Sequence, residues 1–190
     1  MRAAELGADY LGVILVPGTP RFVTPEEARE VLDFSPRPPA IGVFRDAPRN
    51  EIERAARIAD LQGFQLHGRE SPEDCRGLPG YTIRVVGVHD ASSLEGIDDY
   101  DTDAILCDTS VAGKSGGTGQ LFDHTLVVDL ARRRTLFLAG GLNPDNAVEA
   151  ARLVQPFAID VSSGLEAEPR LKDHTRMAIF FARLREAGLR

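Results

Sequence analysis

The chain has 190 residues, 43% of them hydrophobic and 27% charged, the profile of one ordinary globular domain spanning residues 1–190. No apolar run reaches the roughly 20 residues that cross a bilayer, which excludes the membrane as a partner. A formal charge of -7 with no clustered basic residues excludes nucleic acid. The opening Met1-Arg2-Ala3-Ala4-Glu5 has no apolar signal core, and two cysteines are too few for a disulfide framework, so a cytoplasmic location is expected. His67, His89, His124 and His174 show no paired metal spacing and read as structural or surface residues.

In chain order, Glu5 to Gly7 reads as the tail of a helix capped by a left-handed glycine. Tyr10 to Leu15 is a buried strand, followed by the stiff loop Pro17-Gly18-Thr19-Pro20-Arg21. Thr24-Pro25-Glu26-Glu27 opens a helix with a capping box: hydroxyl cap, proline at the first helical position, glutamate three after the cap. Ala40 to Phe44 is the next strand, Pro48 to Asp60 a helix, and Phe64 to Leu66 a short strand entering His67-Gly68. Ser71-Pro72-Glu73-Asp74 repeats the helix-start signature. Thr82 to Val86 follows as a strand, then an acidic segment with a weak helix signal. Ala104 to Cys107 is a strand that ends before Asp108 and Thr109, with its helix at Asp123 to Arg133. Leu136 to Ala139 is a strand leading through Gly140-Gly141-Leu142 to a cap and first-turn proline at Asn143-Pro144. Ala158 to Val161 is the last strand, and an amphipathic helix runs from about Lys172 to the end.

This alternation predicts a parallel α/β sheet. The loops after strands carry the glycines and polar groups while those after helices are plain, which is the habit of the (β/α)8 barrel, the TIM barrel. A doubly wound open sheet is the alternative, disfavoured because no glycine-rich dinucleotide fingerprint follows an early strand. Seven strands are recognisable where a closed barrel has eight, and the expectation is that the first strand and most of the first helix are absent.

Asp108 is the candidate acid, a carboxylate at the end of a buried strand, on the face where α/β folds place their chemistry. A simple loop cap is the competing reading. By alternation Cys107 points the opposite way, into the packing. Gln65 and His67 flank Leu66, so their side chains share a direction. Arg21, between Pro20 and Phe22, could fork onto a carboxylate or be a surface charge. Gly140-Gly141 and Ser162-Ser163-Gly164 have the composition of a phosphate cradle, or of tight turns that need glycine.

The motifs Gly7-Ala8-Asp9-Tyr10-Leu11-Gly12, Pro20-Arg21-Phe22-Val23-Thr24-Pro25-Glu26, Gly42-Val43-Phe44 and Gln65-Leu66-His67-Gly68 resemble the phosphoribosylanthranilate isomerase family. So do Gly116-Gly117-Thr118-Gly119, Phe122-Asp123, Ala139-Gly140-Gly141-Leu142-Asn143-Pro144, Asp160-Val161-Ser162-Ser163-Gly164-Leu165-Glu166 and Lys172-Asp173. The resemblance covers nearly the whole chain in the family's order. It implies a tryptophan-pathway enzyme that performs an Amadori rearrangement of N-(5-phosphoribosyl)anthranilate with no cofactor and no metal. The partner is then a small-molecule phosphosugar, and a homodimer is a candidate assembly. Carried across by position, Asp108 corresponds to the general acid and Arg21 to the group holding the anthranilate carboxylate. Gln65, His67 and Gly117 line the substrate, and Gly140, Gly141, Ser163 and Gly164 correspond to the phosphate loops. The family's general base is a cysteine in a Lys-Ile-Cys-Gly run, which this sequence does not contain; neither Cys75 nor Cys107 fits its place. Gln120, Leu121 and His124 also depart from the lysine, threonine and tryptophan usual there. Impaired turnover is therefore the expectation. Two alternatives stay open: an inactive phosphosugar-binding or assembly protein of this fold, and another phosphosugar barrel enzyme using Asp108 with His67 as base.

Overall fold

A computed structural model describes residues 1–111, 114–115 and 122–189. Contacts within it group into two compact units, Met1–Arg84 with Asp98–Asp103, and Val85–Ile97 with Ala104–Arg190.

The first unit opens with helix α1 (Arg2–Leu6), closed by Gly7 at φ 99°, as the sequence reading has it. Strand β1 (Leu11–Ile14) pairs parallel with β2 (Ala40–Phe44), β2 with β3 (Gly63–Leu66), and β3 with the start of β4 (Tyr81–Val88). Between them lie α2 (Pro25–Val31), α3 (Arg49–Ala59) and α4 (Pro72–Cys75). Both anticipated capping boxes form: Glu27 N–H donates to Thr24 Oγ1 while Glu27 Oε2 accepts the Thr24 N–H, and Asp74 and Ser71 exchange the same pair. Ile52, Ala55 and Ala59 recur at helical spacing along α3 and are all buried, joining Phe44, Phe64 and Leu66 in one core. Burying Phe64 completely stabilises the unit by about 2–3 kcal/mol.

In the second unit β5 (Ala104–Val111) pairs parallel with β7 (Leu136–Leu138) and β7 with β8 (Ala158–Ile159), while β6 (Lys114–Ser115) turns back antiparallel on β5. Helices α5 (Val128–Arg133), α6 (Ala147–Val154) and α7 (His174–Glu186) complete the unit, in which Ile105, Leu106, Leu136 and Leu138 are all fully buried. A small antiparallel pair, β9 (Glu166–Glu168) and β10 (Leu171–Lys172), follows β8. The acidic segment after β4 forms two short 3-10 turns, Ala91–Leu94 and Ile97–Asp99. No helix among the described residues is long and apolar enough to cross a membrane.

Several boundaries differ from the sequence reading, among them β8, which ends at Ile159, and α5, which a 3-10 turn at His124–Val127 precedes; three more have a clear physical reason. β5 continues to Val111, because its far end is paired by β6 and does not stop at the apolar run. Asn143-Pro144 starts a turn and not the helix: Asn143 Oδ1 accepts the Asp145 N–H at 2.8 Å, and α6 begins at Ala147. Lys172 belongs to β10, and α7 begins after Asp173, whose carboxylate caps Thr175 and Arg176.

Candidate active site

Asp108 sits within β5 and not beyond its end, half-buried, with Oδ1 accepting the Thr109 N–H at 2.7 Å. Burial pushes its carboxyl up to about 6; the Thr109 N–H opposes the shift and the charge of Asp160 adds to it. Such a group keeps a fraction of its protons near neutral pH and can hand one to an oxygen, the property a general acid needs. Cys107, its neighbour, is fully buried as alternation requires, and burial drives its thiol up to about 12.

The loop after β7 passes directly over this acid. Gly140 has φ +85°, and a Cβ there would lie 2.5 Å from Thr109 N and 3.0 Å from Asp108 Oδ1, so only glycine permits the approach. Gly141 follows, its carbonyl accepting Asn146 Nδ2 at 3.1 Å and Asn143 Nδ2 at 3.3 Å. The loop after β8 then closes on it: a Cβ on Gly164 would fall on the Leu142 carbonyl oxygen, far inside contact distance. Gly140, Gly141, Ser163 and Gly164 are thus brought together by two interlocked turns. Their donors and glycines make a surface that backbone N–H groups can present to an anion.

In the first unit, Gln65 and His67 share a face as expected, with Gln65 Nε2 and His67 Nε2 2.7 Å apart. With the amide nitrogen donating, His67 Nε2 accepts and the ring proton sits on Nδ1. Burial, then the charges of Arg45 and Arg84, push the imidazole down to about 4, so it is neutral at physiological pH. Arg21 lies half-buried in the loop between β1 and α2, where the Phe22 and Val23 N–H groups bond Thr19 O and Ile14 O. Gly117 lies outside the described residues.

The sequence reading missed the buried pair beneath His67. Arg84 Nη1 reaches Glu70 Oε2 at 2.7 Å and the carbonyls of Leu66 and Gly68, and its guanidinium lies 5.1 Å from the Tyr100 ring centre. Glu70 also accepts the N–H groups of Asp46 and Gly68, both at 2.8 Å. No short-range spacing marks the ion pair, since Arg84 lies 14 residues from Glu70, and Asp46 lies 24 residues from it. Asp160 was legible as an acid at a strand end, but its effect on Asp108 depends on β7 standing between β5 and β8 in the sheet.

Residues 1–183 match the family model of N-(5'-phosphoribosyl)anthranilate (PRA) isomerase. The chain is 39% identical over 186 residues to the N-(5'-phosphoribosyl)anthranilate isomerase of Magnetococcus marinus, covering 97% of this chain and 89% of that one. It resembles the crystal structure of the phosphoribosyl anthranilate isomerase of Thermotoga maritima with a TM-score of 0.90 at 35% identity, over 97% of this chain and 92% of that one. A further crystal structure, of a phosphoribosyl anthranilate isomerase in complex with reduced 1-(O-carboxyphenylamino)-1-deoxyribulose 5-phosphate, gives 0.87 at 35% identity, over 97% and 91% of the two chains.

Proposed function

The chain belongs to the N-(5'-phosphoribosyl)anthranilate isomerase family, and from that premise we propose how its residues divide the reaction. It is an isomerase of tryptophan biosynthesis with the TIM-barrel fold. Its ligand is a small phosphosugar, N-(5'-phosphoribosyl)anthranilate, handled in the cytoplasm.

Asp108 is the general acid. It gives its proton to the ribose ring oxygen as the nitrogen lone pair moves toward C1 and the ring C–O bond breaks. The observation that carries this assignment is the half-buried carboxyl pushed up to about 6, still partly protonated near neutral pH. The second step removes the proton from C2; the electrons of that C–H bond form a C1=C2 bond and the iminium pair returns to nitrogen, giving an enolamine that becomes the ketose when C1 takes up a proton and the C2 hydroxyl loses one. Gly140, Gly141, Ser163 and Gly164 hold the phosphate, Arg21 takes the anthranilate carboxylate, and Gln65, His67 and Gly117 complete the substrate contacts.

Neither cysteine is the base for C2. Both are buried, and burial pushes Cys75 up to about 11 and Cys107 to about 12, where a thiolate is scarce at neutral pH. His67 is a poor base as well, because its Nε2 lone pair is occupied by Gln65 and its basicity is depressed.

The test is loss of anthranilate-adduct fluorescence, measured for the 190-residue chain and for one extended upstream by a Lys-Ile-Cys-Gly strand. Turnover confined to the extended chain assigns the base to that cysteine, and equal turnover in both assigns it to these 190 residues. In whichever chain is active, Asp108→Asn lowers kcat by about 10³-fold. The wild-type rate declines as pH rises through about 6, where the acid loses its proton. An unchanged rate in Asp108→Asn would sink the acid assignment.

A further inference from the structure

Beside the loop that follows β8 lies a cross-braced strap that reaches the loop through the Ser162 carbonyl. Lys172 Nζ donates to Ser162 O at 2.8 Å and to Glu166 Oε1 at 3.1 Å. Glu166 is 5% exposed at its side chain against 40% for Lys172, so the ammonium is the outer member of a pair anchored from within. The pairing of β9 with β10 sets Lys172 opposite Glu166, the Asp173 N–H bonds Leu165 O at 2.9 Å, and Arg176 Nη1 bonds Glu166 O at 3.0 Å. The Lys172 ammonium is therefore anchored by Glu166, while these backbone bonds fix the strap on which both sit.

The Ser162–Ser163 peptide is trans, so its N–H points opposite to its carbonyl. A cation that grips Ser162 O thereby fixes where the Ser163 N–H points. Ser163 opens the 3-10 turn Ser163–Leu165, and the first N–H of a helical turn has no acceptor within it. Gly164, next in line, is locked against Leu142 O. One side of the loop is pinned by packing; on the other, the Ser162 carbonyl accepts Lys172 Nζ at 2.8 Å and, more loosely, the Leu165 N–H at 3.3 Å.

We propose that Lys172, braced by Glu166, is a positioning residue for phosphate binding: it grips the Ser162 carbonyl and so aims the Ser163 N–H at the phosphate. This rests on the assignment of Ser163 and Gly164 to the phosphate loops. Lys172 need not touch the ligand, and its effect falls on ground-state and transition-state binding alike, because the phosphate is remote from the reacting carbons.

The test is calorimetric titration of the full chain with inorganic phosphate, alongside KM and kcat in the turnover assay. Lys172→Met keeps the aliphatic stem and removes the donor. It weakens phosphate binding and raises KM by about tenfold, the scale of one charge-assisted hydrogen bond, with kcat within about twofold. Lys172→Arg restores most of the affinity. Glu166→Gln weakens phosphate binding, because Lys172 loses its anchor; tighter binding there would show Lys172 acting as a free point charge and overturn the proposal. Unchanged phosphate affinity in Lys172→Met overturns it, and so does a fall in kcat with KM unmoved, or a folding defect that arginine does not rescue. A wild-type chain that binds no inorganic phosphate removes the phosphate-loop assignment itself and the proposal with it. A wild type that binds phosphate, beside an unaffected Lys172→Met, removes the proposal alone.

Discussion

The strand ends of the two units solve opposite problems. In the first, after β3, polar side chains meet one another: Gln65 on His67, Arg84 on Glu70, and Glu70 on two backbone N–H groups. In the second, after β5, β7 and β8, Gly140 and Gly164 let backbone come close, beside a half-buried carboxyl that burial pushes up to about 6. The first arrangement pairs charge with charge and fixes a shape, whereas the second leaves a carboxyl at an electrostatic cost, the condition a general acid needs. A group whose charge is fully compensated is a good strut and a poor acid, and a group left partly uncompensated is the reverse.

Breaking the first arrangement has the largest effect on stability. Arg84→Met strands the Glu70 carboxylate at 5% side-chain exposure and is expected to cost about 3 kcal/mol, read by urea unfolding. It also removes a positive neighbour of His67, so the imidazole titrates closer to its ordinary range, observable by NMR. An undiminished stability would mean that the Glu70 backbone contacts suffice without the arginine.

Gly164→Ala attacks the second arrangement through its backbone. The new methyl must displace the Leu142 carbonyl or move the loop, at about 2 kcal/mol of stability together with weakened phosphate binding. A variant that unfolds like the wild type yet binds phosphate normally would show that the two turns are not interlocked in solution.

The smallest effect separates function from stability most cleanly. The folded chain raises the pKa of Asp108 from 3.8 to about 6, so the folded state favours the protonated carboxyl. That stabilising preference is complete below pH 3.8 and is lost as pH rises through about 6, leaving a half-buried anion at higher pH. Asp108→Asn escapes that loss. It is expected to be more stable than wild type by about 1–2 kcal/mol at pH 8, with no gain near pH 4, while losing activity. Thermal unfolding at the two pH values checks it, and equal shifts at both would contradict the buried-anion account.

Much of the fold was legible along the chain. Both capping boxes, the left-handed Gly7 and the apolar runs of the strands depend on residues within four positions of one another, so sequence alone determined them. The direction of Gln65 and His67, and of Cys107 against Asp108, followed from the two-residue alternation of a strand. The strand assignment failed at β5, whose last residues are held by a hairpin partner, and at Lys172, which pairs across a turn. Tertiary structure alone decided that Glu70 meets Arg84 14 residues away, that Gly164 closes on Leu142, and that Asp108 lies within reach of the charge of Asp160. Local patterns state which face a residue takes, but the pKa of an acid depends on what covers that face, and only strand register and loop closure bring those distant residues together.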